Sequence, residues 1–195
     1  MAYIDFHPTI HKMGDEACAA AIIEGSILEL TDYTVTTTGS YVLAKIPQMG
    51  KVSFPMCKVA AISMLQDNTA LTSVYFPRMT AAEYYMFGKC VALRKAHFPA
   101  AQRIVELAFS ESGLDTLVLS SKRYITNLAA VNVFTGTPIE EGNGYIYVPK
   151  KMEDGRSGIA AYESATNWSS FAGQFRYIED YPEILAFVKE QTPWY

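Results

Sequence analysis

Charge is scarce in this sequence of 195 residues, of which only 18% are Asp, Glu, Lys or Arg. Soluble domains usually carry about 25% charged residues. The apolar fraction is 50% and the aromatic fraction 13%, which excludes a disordered or fibrous chain and is enough for a sizeable core. Interfaces within assemblies are depleted of charge and enriched in aromatic residues. The composition therefore favours a subunit of a larger assembly over a free monomer.

Long apolar runs and a surplus of basic residues are also missing. No stretch approaches about 18 uninterrupted apolar residues, so no membrane span is expected. The first residues lack the basic-then-apolar layout of a secretory signal. Lys and Arg number 16 against 20 Asp and Glu, which argues against nucleic acid as a partner. The expected partners are other protein subunits, in a homo- or hetero-oligomer.

Cysteine and histidine are equally sparse. The three scattered cysteines are Cys18, Cys57 and Cys90. They fit neither a disulfide framework nor a zinc site and favour a reducing compartment. His7 and His11 have the spacing of two ligands on a helical face, but Pro8 lies between them and no acidic residue completes the motif. His97 stands alone and is interpreted as structural. No metal and no cofactor is therefore expected from the residues themselves.

Short β-type segments dominate the first part of the chain. The predicted strands span 3–6, 26–38, 41–46, 52–65, 70–76, and later 115–121 and 145–148. In the first part they are separated by turns of hairpin length, as in an antiparallel meander. We identify no internal repeat and no low-complexity tract.

Helices are expected between and after these strands. The strongest pattern begins at Pro99, places Ala101, Ile104 and Ala108 on one face, and ends before Gly113. Further helices are predicted over 17–24, 127–134 and 180–190. The segment 79–97 is left open between helix and strand, because a capping box opens it while its aromatic and β-branched residues favour a strand.

The predicted fold class is therefore α+β, with a mixed, mostly antiparallel sheet flanked by helices. Residues 1–149 form the core domain. The charged, glycine-bearing loop 150–158 is the one convincing linker, and it opens a C-terminal extension over 150–195 with an aromatic-rich segment and a terminal helix. Because aromatic residues dominate binding hot spots, the candidates for contact with a partner are Trp168, Phe171, Phe175, Trp194 and Tyr195. The alternative is that the tail 192–195 folds back on its own core.

Residues 94–142 resemble the core of the GNAT acyltransferases. The helix predicted over Ala100–Phe109 and the strand Gly113–Leu119 follow in the family's order. Asn127, Ala130 and Phe134 then fall at the spacing of its Asn-x-x-Ala-x-x-x-Tyr motif. The resemblance implies a GNAT-like fold and an acyl-CoA-dependent N-acyltransferase that uses acetyl-CoA.

The departures from that family concern its catalytic parts. The run 94–100, where the family has its phosphate-binding turn, contains no glycine, and Pro99 removes an amide that phosphate would need. Phe134 stands at the position of the tyrosine general acid and has no proton to donate. Glu83 or Tyr147 could supply a base or an acid, but nothing in the sequence selects either.

Three functions follow from these observations. The first is a non-enzymatic structural or assembly component, since the composition resembles that of tailed-phage virion proteins of the capsid, neck or tail: rich in Thr, Ala and Tyr, with little charge and cysteine. Its expected location is the virion, or the host cytoplasm during assembly. The alternative is a GNAT-like acyltransferase with a diverged phosphate turn. A third is an interaction or inhibitor protein that acts through its aromatic C-terminal segment.

Overall fold

Parallel strands stacked in successive coils build this protein. A computed structural model describes residues 12–20, 28–193 and 195. The strands are β1 (Lys12–Met13), β2 (Leu28–Thr31), β3 (Thr37–Thr38), β4 (Met49–Ser53), β5 (Ser73–Tyr75), β6 (Ala81–Ala82), β7 (Lys95–His97), β8 (Arg103–Ile104), β9 (Thr116–Val118), β10 (Asn127–Leu128), β11 (Tyr145–Val148) and β12 (Phe175–Tyr177). The helices are α1 (Gly158–Glu163), α2 (Pro182–Gln191) and 3₁₀ segments over Val131–Phe134, Trp168–Gln174 and Ile178–Asp180.

Each coil adds one strand to each of two sheet faces and one tight turn to a third side. Face A contains β2, β4 and β5, which lie beside β7, β9, β11 and β12. Face B contains β1, β3, β6, β8 and β10. Position 52 pairs with position 74, and position 81 with position 103, so one central coil takes 22 residues. All pairs between these strands are parallel, and the molecule is a parallel β-solenoid.

The predicted α+β class, with its mostly antiparallel sheet, is therefore wrong, and so is a GNAT-like fold. Neighbouring strands in space are a full coil apart in sequence, whereas we interpreted consecutive strands as hairpin partners. The run 99–112 is not a helix but β8 between two turns. Its helical spacing arose because Ala101, Ile104 and Ala108 all point into the core from successive bends of one coil. The open segment 79–97 contains β6, a tight turn and β7.

Some of the other predicted helices and strands agree with the structure and some do not. Strand β11 and helix α2 lie where the sequence placed them, and β5 and β9 fall within predicted strands. The helix expected over 127–134 is β10 followed by a 3₁₀ turn, and the strand expected over 41–46 is a tight turn. The strand expected over 3–6 lies outside the described residues.

A repeat that we did not identify from the sequence sets the coil length. A Phe-Pro pair recurs every 22 positions, at Phe54-Pro55, Phe76-Pro77 and Phe98-Pro99. Each phenylalanine is buried, and the rings of Phe54 and Phe76 meet edge to face with their centroids 5.9 Å apart. Proline follows because it has no amide for the ladder and ends the strand there. Each pair therefore marks the same corner in three successive coils.

The turn side carries its own hydrogen-bond ladder. The first and fifth residues of each tight turn have positive φ, as at Tyr41 and Lys45 and again at Tyr85 and Lys89. In one such turn the Leu43 amide donates to the Met64 carbonyl of the next coil over 3.0 Å. A left-handed conformation costs a non-glycine residue roughly 1 kcal/mol. The inter-coil ladder compensates for that cost by giving buried backbone groups their partners.

A buried asparagine closes one of these turns, and its loss should destabilise the fold. Asn68 is fully buried; its Oδ1 accepts from the Ile46 amide and its Nδ2 donates to the Leu43 carbonyl, both over 2.8 Å. Asn68→Ala would leave both backbone groups buried without partners, so we expect the free energy of unfolding to fall by about 2 kcal/mol. Urea denaturation followed by circular dichroism measures this. The exposed Asn143 supplies the control, since Asn143→Ala should change little.

The C-terminal segment 150–195 caps the solenoid rather than standing apart from it. Strand β12 pairs with β11, and Trp168 joins the main core. Trp168 Nε1 donates to the Thr126 carbonyl over 2.6 Å, and Asn167 Nδ2 donates to the Leu128 carbonyl over 2.7 Å. These bonds cover the free edge of β10, whose unpaired backbone groups could otherwise pair with a strand of another molecule.

Helix α2 lies on the outer surface of face A. Its residues Ile184 and Val188 form a second apolar cluster with Val118 and Tyr147, whose side chains point away from the main core. Because side chains alternate along a strand, the outward positions of β7, β9 and β11 lie beneath this helix. The helix therefore places its last turn over the ends of β7 and β9.

Candidate functional site

A chain of three polar side chains lies where helix α2 meets face A. His97 is the last residue of β7, Ser120 follows β9 by two residues, and Gln191 ends α2. Ala96 points into the core, so alternation turns the His97 ring outward to the helix. The His97–Ser120–Gln191 chain is thus assembled from two coils and the cap.

The geometry of this chain fixes the histidine ring at both nitrogens. Ser120 Oγ lies 2.7 Å from His97 Nε2, and Gln191 Oε1 lies 3.0 Å from His97 Nδ1. An amide oxygen only accepts, so Nδ1 carries the proton and Nε2 accepts from the serine hydroxyl. His97 is 1% exposed and Ser120 5% exposed. Burial lowers the pKa of His97 to about 4, although the bond to Gln191 opposes the shift, and the ring is neutral at pH 7.

Ser120 also forms part of the wall of a cavity of about 500 Å³. Ser121, Lys122 and Tyr195 line the same space, whereas His97 and Gln191 do not. The Lys122 ammonium lies 4.1 Å from the centroid of the Tyr195 ring. Ser120 therefore lies between the neutral His97 and a cavity whose wall includes the positively charged Lys122.

The buried histidine should make the protein sensitive to acid. Its pKa of about 4 in the folded chain lies below the ordinary value of 6.5, so the unfolded chain binds more protons between these values. Stability from this group is fully present above pH 6.5 and is lost as the pH falls towards 4. We expect the free energy of unfolding to be about 2 kcal/mol lower at pH 5 than at pH 8 from this group alone. Urea titrations at both pH values measure the difference, and His97→Gln should reduce it.

A stripe of aromatic and aliphatic side chains lies on the surface at the corner between face B and the tight turns. We call Tyr41, Ile62, Tyr84 and Tyr85 the corner stripe. Ile62 is 41% exposed and Tyr84 is 39% exposed. The ring centroids of Tyr84 and Tyr85, which lie in the same coil, are 6.1 Å apart. The Tyr41 amide donates to the Ile62 carbonyl over 3.1 Å, so these residues occupy adjacent coils. The 22-residue spacing of Ile62 and Tyr84 was the sequence signal for the stripe.

The aromatic residues predicted to contact a partner lie elsewhere. Trp168, Phe171 and Phe175 are buried in the main core, where the Trp168 ring packs on the other two. Trp194 lies outside the described residues. Tyr195 is half-buried; its hydroxyl donates to Glu179 over 2.9 Å. At Tyr195 the tail folds back on the protein.

The structure separates the residues that an acyltransferase would need. Glu83 is bonded to Arg103 over 2.5 Å on face B, Tyr147 lies beneath α2 on face A, and Phe134 is in the core. Asn127 belongs to β10, and Ala130 precedes a 3₁₀ turn. The run 94–100 contains β7 and a turn, with no helix after it to present amides to a phosphate.

The remaining candidates carry little reactivity. Burial raises the pKa of Cys57 to about 11 and that of Cys90 to about 12, so both thiols are protonated; Cys18 is half-buried. His7 and His11 lie outside the described residues. In 12–20, 28–193 and 195, no three His, Cys, Asp or Glu side chains come close enough to hold a metal ion. No helix in the described ranges is long and apolar enough to cross a membrane.

Comparison with known proteins adds no identification. No family model, no curated protein and no solved structure matches the chain. Function is therefore argued from the residues and the geometry above.

Proposed function

We propose that this chain is a structural or assembly component of a larger protein complex, and that it contacts neighbouring protein subunits through the corner stripe. The observation that carries the proposal is the exposure of Ile62 and Tyr84 side by side on successive coils. Exposed apolar groups that adjoin one another, rather than single ones, mark interaction surfaces.

The surroundings of the stripe support this interpretation. Val59, in the same coil as Ile62, is 56% exposed on face B. Beyond it, charged side chains such as Lys58 and the Glu83–Arg103 pair form a polar border. A mainly apolar centre with a charged rim is the usual anatomy of a protein interface.

The solenoid itself suits a scaffold role. Repeating coils present extended, rigid surfaces on which neighbouring subunits can align. The low charge and the Thr-, Ala- and Tyr-rich composition resemble those of tailed-phage virion proteins, and this likeness supports a position in a capsid, neck or tail. The partners under this proposal are protein subunits of the same particle.

Charge placed in the stripe should abolish self-association. We expect the purified chain to exceed its monomer mass of 21.6 kDa at high concentration, and the Ile62→Lys/Tyr84→Lys variant to remain a monomer, because a lysine at an interface centre must be desolvated. Light scattering coupled to size-exclusion chromatography measures the masses. Val91→Lys is the matched control, since Val91 is 51% exposed but lies outside the stripe. A monomeric wild-type chain at every concentration would contradict the proposal.

A further inference from the structure

We infer that Ser120 is a nucleophile towards small carboxylic esters, with His97 as its general base and Gln191 as the group that orients the histidine. This activity goes beyond the proposed function. The observation that carries it is the continuous contact from Ser120 Oγ to His97 Nε2 over 2.7 Å and from His97 Nδ1 to Gln191 Oε1 over 3.0 Å. A hydroxyl bonded to a base that is itself held by a third group is the arrangement of activated nucleophiles.

The order of the three groups relative to the cavity fits these roles. Ser120 lines the cavity, while His97 and Gln191 lie behind it and are shielded by α2. A substrate in the cavity would therefore meet Ser120 before His97.

The cavity also limits the substrate. Its volume of about 500 Å³ is within the range of small-molecule sites, so a short acyl ester fits better than a polymer. Lys122 lines the space with a positive charge that can stabilise the oxyanion formed on the carbonyl oxygen. Tyr195 and Lys122 hold each other in place at its edge.

The reaction balances with water as the only co-reactant. Ser120 Oγ attacks the carbonyl carbon while its proton moves to His97 Nε2, and the tetrahedral intermediate then breaks its bond to the alcohol oxygen. The departing alkoxide takes a proton from water in the cavity and leaves as the alcohol. The hydroxide so formed attacks the acyl-serine and releases the carboxylic acid, and His97 Nε2 returns its proton to Ser120 Oγ. No group is oxidised or reduced.

The decisive experiment labels the full chain with a fluorophosphonate, which reacts with activated serines, and locates the adduct by mass spectrometry. We expect one adduct per chain, on Ser120, and hydrolysis of p-nitrophenyl acetate that Ser120→Ala abolishes. Ser121→Ala is the matched control, because Ser121 lines the same cavity but its hydroxyl accepts from the Arg123 amide rather than contacting His97. It should react at the wild-type rate.

Two variants of Gln191 separate a catalytic histidine from a structural one. Gln191→Glu places a carboxylate against Nδ1, which strengthens His97 as a base, so labelling should be several-fold faster; Gln191→Ala should slow it. His97→Gln should slow labelling about a hundredfold, with folding checked by circular dichroism. The inference is overturned if no adduct forms on Ser120, if Ser120→Ala retains ester hydrolysis, or if both Gln191 variants slow labelling equally.

Discussion

Replacing Phe109 by alanine is expected to lower the free energy of unfolding by about 4 kcal/mol, at the upper end of core truncations. Phe109 is fully buried. Its ring stacks on Phe87 with centroids 5.2 Å apart and on Phe134 with centroids 5.9 Å apart. These rings come from three successive coils, so the cavity left by alanine would remove contacts from both neighbouring coils, and the coils cannot close on it without breaking their hydrogen-bond ladders.

Thermal and urea unfolding, followed at a far-ultraviolet wavelength, measures this loss. Phe109→Leu should cost clearly less, because most of the buried volume remains. Val131→Ala is the surface control, since Val131 is 51% exposed in the adjacent 3₁₀ turn, and its stability should stay within about 0.5 kcal/mol of the wild type. Equal losses for Phe109→Ala and Val131→Ala would contradict the stacked core.

The same stack shows why the sequence analysis identified some buried positions but predicted the wrong topology. Periodicity over a dozen residues can identify buried positions, and Ala101, Ile104 and Ala108 are indeed buried. It cannot tell a helical face from successive corners of one coil, because both bring residues three and four apart inward. A 22-residue period, as in the pairs Phe54-Pro55 and Phe76-Pro77, distinguishes a solenoid coil from a helix. Windows of a dozen residues are too short to detect this period.

Elements with strong local signals were predictable. The sequence analysis placed α2 and β11 correctly because Pro182 at the start of the helix and the aromatic and β-branched residues of the strand act within one element. The tight turns were not predictable, because most of their left-handed residues are not glycine; Tyr41 and Lys45 are examples. Only the ladder to the next coil makes that conformation favourable, and the ladder is a long-range interaction.

The His97–Ser120–Gln191 chain could not be predicted from short sequence windows either, because its contacts are also long-range. His97 and Ser120 are one coil apart, and Gln191 is 94 residues beyond the histidine. We interpreted His97 as structural because nothing near it in sequence is a partner. Once the coil length is known, Ser120 can be placed just beyond the strand that pairs with β7, close to His97. The docking of α2 over these two residues cannot be predicted in this way.

The loop 150–158, which we interpreted as a linker, is a hydrogen-bonded turn between β11 and α1. Its ends form an antiparallel bridge between Lys151 and Ser157, and the Met152 amide donates to the Arg156 carbonyl over 2.9 Å. Gly158 follows as the first residue of α1, buried against the backbone at Pro149. A flexible connection would tolerate a methyl group there, whereas this turn has no space for one.

Gly158→Ala is therefore expected to destabilise the cap by about 4 kcal/mol, beyond the usual cost of overpacking. A Cβ at this position would overlap the Pro149 carbonyl oxygen, and that backbone cannot retreat because β11, which ends at Val148, is paired on both sides. Hydrogen exchange should show α1 and β12 losing protection before β4 and β5. Gly173→Ala is the matched control, since nothing lies within 4 Å of a Cβ there and its stability should be unchanged. If Gly158→Ala instead melted like the wild type, the segment 150–158 would be the linker that the sequence suggested, and the cap would not be an integral part of the solenoid.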